Sequence, residues 1–456
     1  MAPYLADTPR SVADFSCSDI CLDSYDIHPV TGFLSTPPPL KRLPAYFDPW
    51  EDILDNLHQL LVASALRTRV AMSLIPSSVQ LSTLDESRLQ GRREWQRAYL
   101  VLSFIAHSHI IGVPNIDTIE SILPKCIAVP WFAVAKKLAV KPVISYSSVD
   151  LNNWYLLNPD GPLDLSNIAI RHTFTGTVDE AWFYLIPLAI EAAGAPSIQA
   201  LVRAQQAILN KDNATLLSCL TVIADSTEEM ASLIKRMYEK CDVNIFWTRF
   251  RYYSGGSKNS KVVPNGIFYE GVTEMDEFVN TDTAIPKSLV GTWRRYAGAS
   301  AGQSPIIHTL DVGLDIHHAV IDCPAKTSLG VPVTHPTSVN PMLEMREYIS
   351  GLHQDFLHTL ANGPSIRDHV ASLLPQNNSA AEQFNRAVGN IKAFRDAHIR
   401  LTAVYIVLQE KKAAAAAGLT AVSASVGTGG TDLVPFLKQT RNETVDALIP
   451  LNTNGC

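Results

Sequence analysis

An all-α fold is expected from three features of the sequence. Apolar residues recur at spacings of three and four over long stretches, as in Ile53, Leu57, Leu60 and Leu61, and again from Phe384 to Leu408. The segment DEAWFYLIPLAIEAAG is apolar almost all round, which marks a helix enclosed by other helices. Strand-like alternation is sparse, and no repeat of fixed period suggests a solenoid.

Residues 1–45 mix Pro, Ser and Asp and carry Pro37, Pro38 and Pro39 in a row, the composition of an irregular arm that ends extended. Helical periodicity from Trp50, with a second stretch from about Trp95 to Ile111, defines a small helical domain over 46–140. Pro124, Pro130 and Pro142 punctuate LPKCIAVPWFAVAKKLAVKPVISY, which reads as the connection into a larger helical domain over 141–456. There the enclosed helix is expected to kink at Pro187, with further helices at about 196–210, 213–241, 243–254, 302–316, 340–361 and 379–411. Residues 256–300 form a long, mostly irregular excursion. The tail KKAAAAAGLTAVSASVGTGGTDLV reads as a helix end followed by a mobile loop over about 411–432.

Composition narrows the function. The 456 residues include 37 Lys plus Arg against 44 Asp plus Glu, a net charge of -7, and no basic block that would track phosphates, so nucleic acid is not expected as a partner. Seven cysteines without CxxC pairs suit reduced thiols in a cytoplasmic protein. The N-terminus lacks the pattern of a signal peptide, and the apolar runs YLVLSFIA and WFYLIPLAI are shorter than a bilayer span, so no membrane association is expected. Walker A, HExxH and GxGxxG motifs are absent. His317 and His318 are adjacent, and His353 with His358 is five apart; neither pair is spaced to share a metal on a helix.

Three places hold residues able to do chemistry. His398 lies on the stripe Phe384, Val388, Ile391, Phe394, Leu401, Tyr405 and Leu408. By pattern it is either a core histidine with a satisfied hydrogen bond, the commoner case, or a proximal haem ligand; Arg395 and Arg400 beside it suit the propionates of a haem. In NIFWTRFRYYSGG, Phe246 and Arg251 offer a flat apolar face and a guanidinium, which would serve an aromatic amino acid, or else a core aromatic cluster whose arginine reaches solvent. AGASAGQS, Ala297 to Ser304, lets the backbone approach a flat ligand closely and places the Ser300 hydroxyl there, or is a plain loop entering a helix.

Seven blocks in order, CIAVPWFAVAKKL, ISYSSVDLNNW, FYEGV, ASAGQS with DVGLDI, LEMREYISGLHQDFLHTLANGPSIRDHV, FRDAHIRLTAVYI and GTGGTDLVPFLK, resemble the indoleamine 2,3-dioxygenase family of haem enzymes over about residues 45–440. The resemblance implies two helical domains enclosing a b-type haem. It implies His398 as the proximal ligand of the iron, Arg395 at a propionate, and Asp311 as an acidic residue able to accept the ring N–H of His398. Phe246 and Arg251 match the residues that pack the indole and bind the carboxylate. Tyr146, Val149, Phe183 and Tyr184 match the pocket around the indole, Ser300 and Ala301 the haem edge, and Thr428 the loop that closes over the substrate. The activity implied is insertion of both atoms of O2 into the indole C2–C3 bond of L-tryptophan, giving N-formylkynurenine, by a monomer that takes electrons from an external donor to keep its iron ferrous. Three departures stand out: Pro187 replaces a pocket serine, Ala299 replaces a glycine, and TEMDEFVNTDTAIPKSLVGTWRRYAG is long for the family. They leave open the same fold acting on a different indole or turning over very slowly. A haem-free helical interaction protein is the reading from another class.

Overall fold

The computed structural model describes residues 20–74, 84–258, 260–320, 340–374, 378–416 and 433–451. Helix α1 (Asp48–Asp55) carries Pro49 in its first turn, where the missing N–H breaks no helical hydrogen bond, and buries Trp50, Ile53 and Leu54. Its Glu51 pairs with Arg97 of α2 (Gly91–Ile111) at 2.6 Å, both side chains out of solvent. The pair is tolerated because its remaining polar atoms are occupied: Glu51 accepts from the Leu43 N–H at 2.8 Å and Arg97 meets His172 at 2.8 Å.

Helix α3 (Lys125–Leu138) contains Pro130 and packs on α2, so the stretch expected as a proline-punctuated connector is instead a helix. Helix α4 (Val178–Leu209) starts at Thr177, whose hydroxyl accepts from the Glu180 N–H, and runs unbroken through Pro187 and Pro196. The sequence divides this span at Pro196; the structure does not. By length and composition alone α4 is apolar enough to cross a bilayer, longer than the short run read from the sequence, yet 67% of its most apolar window is buried inside the protein. It packs along α5 (Asn213–Leu233), which in turn packs on α8 (Ser379–Thr402). Helices α6 (Pro305–Gly313), α7 (Gly351–Ala361) and α9 (Leu433–Asp446) complete the frame, α6 touching α4 and α7, and α9 lying on α8.

One apolar core runs from Leu22 to Ile449 and includes Trp50 and Leu102 as well as Ile223 and Phe384. The N-terminal arm contributes from Ile20 onward: Ile27 and Leu34 are buried.

Two small sheets interrupt the helices. Strands β2 (Trp154–Leu156) and β3 (Ile168–Ile170) pair antiparallel. Strand β1 (Ile122–Leu123) lies parallel to β4 (Ile267–Glu270), which pairs antiparallel with β5 (Gly291–Arg294) in the register Ile267 to Arg294. The segment expected as mostly irregular thus holds a strand pair. Its long connection is fixed by Arg294, fully buried, which donates to Asp276 at 2.5 Å, to Thr292 at 3.0 Å and to the Glu274 carbonyl. That explains the arginine to which the family resemblance gives no role.

Three turns have π rather than α geometry: Ser147–Leu151, Phe246–Phe250 and Ala403–Val407. Such turns concentrate at functional sites because they redirect side chains that an α-helix would turn elsewhere. All three border one cavity.

Candidate active site

The cavity has about 1780 Å3 of unfilled space including its mouth. Among the described residues, every site residue expected from the sequence borders it except Asp311. Tyr146 and Val149 come from the first π turn and its N-cap, Phe183, Tyr184 and Pro187 from α4, Phe246 and Arg251 from the second π turn and the residue after it, and Ala299 to Gly302 from the loop before α6. Arg395 and His398 face it from α8. Thr428 and most of the expected 411–432 loop lie outside the described residues; 411–416 are helical, within Leu408–Ala416.

His398 breaks the pattern of its own stripe. Phe384, Val388 and Ile391 are sealed in the core, whereas His398 is only half-buried because its ring meets the cavity. Neither ring nitrogen has a hydrogen-bond partner among the described residues, so it is not the satisfied core histidine that the pattern alone allows. Burial, with a smaller push from the Arg395 charge, lowers its pKa to about 4, leaving a neutral imidazole with a free lone pair at neutral pH. That is the form that ligates iron.

Arg395 and Asp311 are placed differently from expectation. One Arg395 nitrogen donates to both oxygens of Asp311, at 2.8 and 2.7 Å, and another donates to Thr444 of α9. Asp311 also meets His318 Nε2 at 3.0 Å, and His318 Nδ1 meets Glu443 at 2.6 Å. Asp311 therefore makes no hydrogen bond to His398 among the described residues; it neutralises Arg395, three residues before His398 on the same helix. Burial would raise the Asp311 pKa, but Arg395 and His318 outweigh it and hold the carboxylate well below its ordinary range. Burial would likewise lower His318, but its two acidic neighbours raise it. Asp311→Ala would leave the buried Arg395 guanidinium without its carboxylate, and urea unfolding should show a loss of about 3–5 kcal/mol; a change under 1 kcal/mol would contradict this.

Arg251 is not snorkelling into solvent. Its guanidinium stacks over Trp247 at 4.3 Å and approaches Glu410 at 3.4 Å while bordering the cavity. Phe246 belongs to an aromatic cluster, 5.1 Å from Phe183 and 5.4 Å from Tyr405 between ring centres, and also borders the cavity. Core packing and site lining are thus combined in one residue.

The loop opposite is built on close backbone contacts. A Cβ at Gly298 would sit 2.1 Å from the Ser254 carbonyl oxygen, so only glycine lets this loop approach the turn that follows Arg251. Ser300 accepts from the Gly302 N–H at 3.2 Å. Gln303 accepts from the Tyr146 N–H at 2.9 Å and donates to the Gly298 carbonyl at 2.8 Å, locking the loop to the start of the first π turn. His308 is fixed as the Nε2–H tautomer: Nδ1 accepts from Arg346 at 3.2 Å and Nε2 donates to Gly302 at 2.8 Å.

Two buried carboxyl groups at this site escaped the sequence reading. Glu191 accepts from Tyr146 at 3.0 Å and Ser304 at 2.5 Å, leaving Oε2 without a partner. Burial raises its pKa from 4.5 to about 7. The folded chain keeps this proton where the unfolded chain has lost it, so stability falls as pH rises from 4.5 through about 7 and then levels. Glu191→Gln cannot ionise and should remove up to about 3 kcal/mol of that decline, read from urea midpoints on either side of the window. An unchanged pH slope would contradict the assignment. Asp150 borders the cavity itself. The only sequence signal for it is an acidic residue inside the otherwise small and apolar ISYSSVDL.

The profile of the indoleamine 2,3-dioxygenase family matches residues 21–447. The chain belongs to that family. Among relatives, indoleamine 2,3-dioxygenase nanC of Aspergillus nanangensis is 32% identical, the match covering 94% of this chain and 98% of the relative. Indoleamine 2,3-dioxygenase 1 of Rattus norvegicus is 31% identical over 94% and 96%. Indoleamine 2,3-dioxygenase of Saccharomyces cerevisiae is 32% identical over 93% of each. The family consists of haem-dependent dioxygenases, and the residues present suit that group: a neutral, unpartnered imidazole on the wall of a large apolar cavity, faced by a loop of small residues. Among the described residues, no three His, Cys, Asp or Glu come together as a protein-only metal cage.

Proposed function

We propose that this indoleamine 2,3-dioxygenase family member oxidises L-tryptophan with O2 to N-formylkynurenine, both oxygen atoms entering the product as the indole C2–C3 bond breaks. The observation that carries the reading is the convergence on one cavity of a free neutral imidazole, His398, and a guanidinium beside aromatic side chains, Arg251 with Phe246 and Phe183. His398 would hold haem b through its iron, which when bound supplies the oxygen chemistry that side chains cannot.

The chain's own part is binding, orientation and exclusion of water. Arg251 receives the substrate carboxylate in exchange for Glu410, which it meets only at 3.4 Å. Phe246 and Phe183 offer flat apolar faces to the indole. Tyr146, held by Glu191, closes the polar side of the pocket. No side chain needs to act as a strong base, because tryptophan and O2 together contain every atom of the product. Thr428 is assigned to closing the pocket by resemblance to the family. A reductant outside the chain keeps the iron ferrous, and the protein works as a cytoplasmic monomer; the free thiols Cys21, Cys126, Cys219 and Cys241 suit a reducing compartment.

Mass spectrometry of the product formed by haem-loaded, reduced protein from L-tryptophan and isotopically labelled O2 tests the reading. Two labelled oxygens in N-formylkynurenine are expected. Haem-bound protein that returns tryptophan intact would overturn the substrate and favour a different indole, toward which Pro187 and Asp150 already point.

A further inference from the structure

Asp150 is 3% exposed, borders the cavity, and its Oδ1 is buried with no hydrogen-bond partner among the described residues. A buried polar group left bare costs about 1–3 kcal/mol, and native chains rarely carry one without a reason. The neighbours do not supply the missing partner. The Tyr146 hydroxyl is committed to Glu191, and the Tyr184 hydroxyl is itself unpartnered. We propose that Asp150 is a specificity-determining residue that hydrogen-bonds a polar group on the aromatic ring of the substrate, so that the pocket favours a ring-hydroxylated indole amino acid over its methyl counterpart. The inference rests on the tryptophan-dioxygenase reading of the same cavity.

Charge and placement define the ligand chemistry. Burial, then the nearby Glu191, raise the Asp150 pKa well above the ordinary carboxylate range, which favours the form with one O–H donor and one carbonyl acceptor side by side. A hydroxyl group complements both; a methyl group complements neither, and an anion would meet only Glu191 and two phenols, Tyr146 and Tyr184. Asp150 comes from the π turn Ser147–Leu151, beside Val149, whereas Arg251 follows the π turn Phe246–Phe250, so the two polar groups reach the cavity from separate elements. Pro187, which also borders the cavity, brings no polar side-chain atom to it.

The test compares haem-loaded wild type, Asp150→Val, Asp150→Ala and Asp150→Asn on L-tryptophan, its ring-hydroxylated isomers and the corresponding ring-methylated isomers. Both kcat/KM and the dissociation constant by calorimetry are read. Wild type should favour at least one hydroxyl isomer over its methyl counterpart by about tenfold, the worth of one hydrogen bond. Asp150→Val and Asp150→Ala should cancel or invert that ratio mainly through KM, and Asp150→Asn, which keeps a donor and an acceptor, should retain part of it. If one apolar variant fails to fold, the other carries the comparison. A ratio unmoved by the substitutions, with L-tryptophan still turned over, overturns the role of Asp150 alone. Failure of wild type to bind or convert any of these amino acids overturns both this role and the tryptophan reading.

Discussion

His398→Ala is expected to leave a folded protein that no longer retains haem. The wild-type imidazole borders the cavity with no hydrogen-bond partner, so its removal strands no donor or acceptor in the core. Alanine is also a better helix former than histidine at an α8 position, so helix content should not fall. What disappears is the neutral nitrogen ligand on the cavity wall. The remaining wall, chiefly Phe, Met, Leu and Ile side chains, offers apolar contact without a bond to iron. After haem loading and gel filtration the variant should show almost no Soret absorption, with far-ultraviolet circular dichroism close to wild type. Stoichiometric haem in the purified variant would remove His398 from its role.

Arg251→Ala is the second large effect and falls on substrate rather than cofactor. The side chain is four-fifths buried, stacked on Trp247, and its acidic neighbour Glu410 is at the long end of ion-pair range. A carboxylate drawn from water into this wall would meet a desolvated guanidinium, a contact whose loss costs about 2–5 kcal/mol. Because Glu410 partly compensates Arg251 before substrate arrives, the lower part of that range applies. A rise in KM of about 30- to 150-fold follows from 2–3 kcal/mol, with a smaller change in kcat. Burial lowers the Arg251 pKa, but not enough to compete with its role as a cation at neutral pH. Saturation behaviour unchanged from wild type would separate Arg251 from the substrate.

Part of this site was legible because apolar and aromatic residues at helical spacing mark the inner faces of helices. The stripe from Phe384 to Leu408 placed His398 on the inner face of α8, and the aromatic run around Phe246 placed a flat wall beside Arg251. What periodicity could not show is which inner face meets packed neighbours and which meets open space; both read as apolar. Arg395 and Asp311 illustrate a second limit. Spacing along the chain cannot reveal that His318, Glu443 and Thr444 converge on the same pair from the end of α6 and from α9. Pro130 and Pro196 read as boundaries in the sequence, yet each sits inside a helix whose tertiary packing outweighs the lost backbone bond. Strands β4 and β5, of four residues each, were too short to register as alternation.

The π turn at Ala403–Val407 has a consequence for how this chain can change over time. It amounts to one surplus residue in a helix that otherwise runs from Ser379 to Ala416. Each residue of an α-helix advances about 100° around the axis. His398 lies before the surplus and Glu410 after it, so the insertion sets the phase between the residue that faces the iron site and the one that waits beside Arg251. No point substitution alters that phase. A single deletion within 403–407 would leave His398 in place and swing Glu410, with all that follows it, by about a quarter turn. The helix therefore stores a relation between two ligand-handling positions in its length, where drift by substitution cannot erode it.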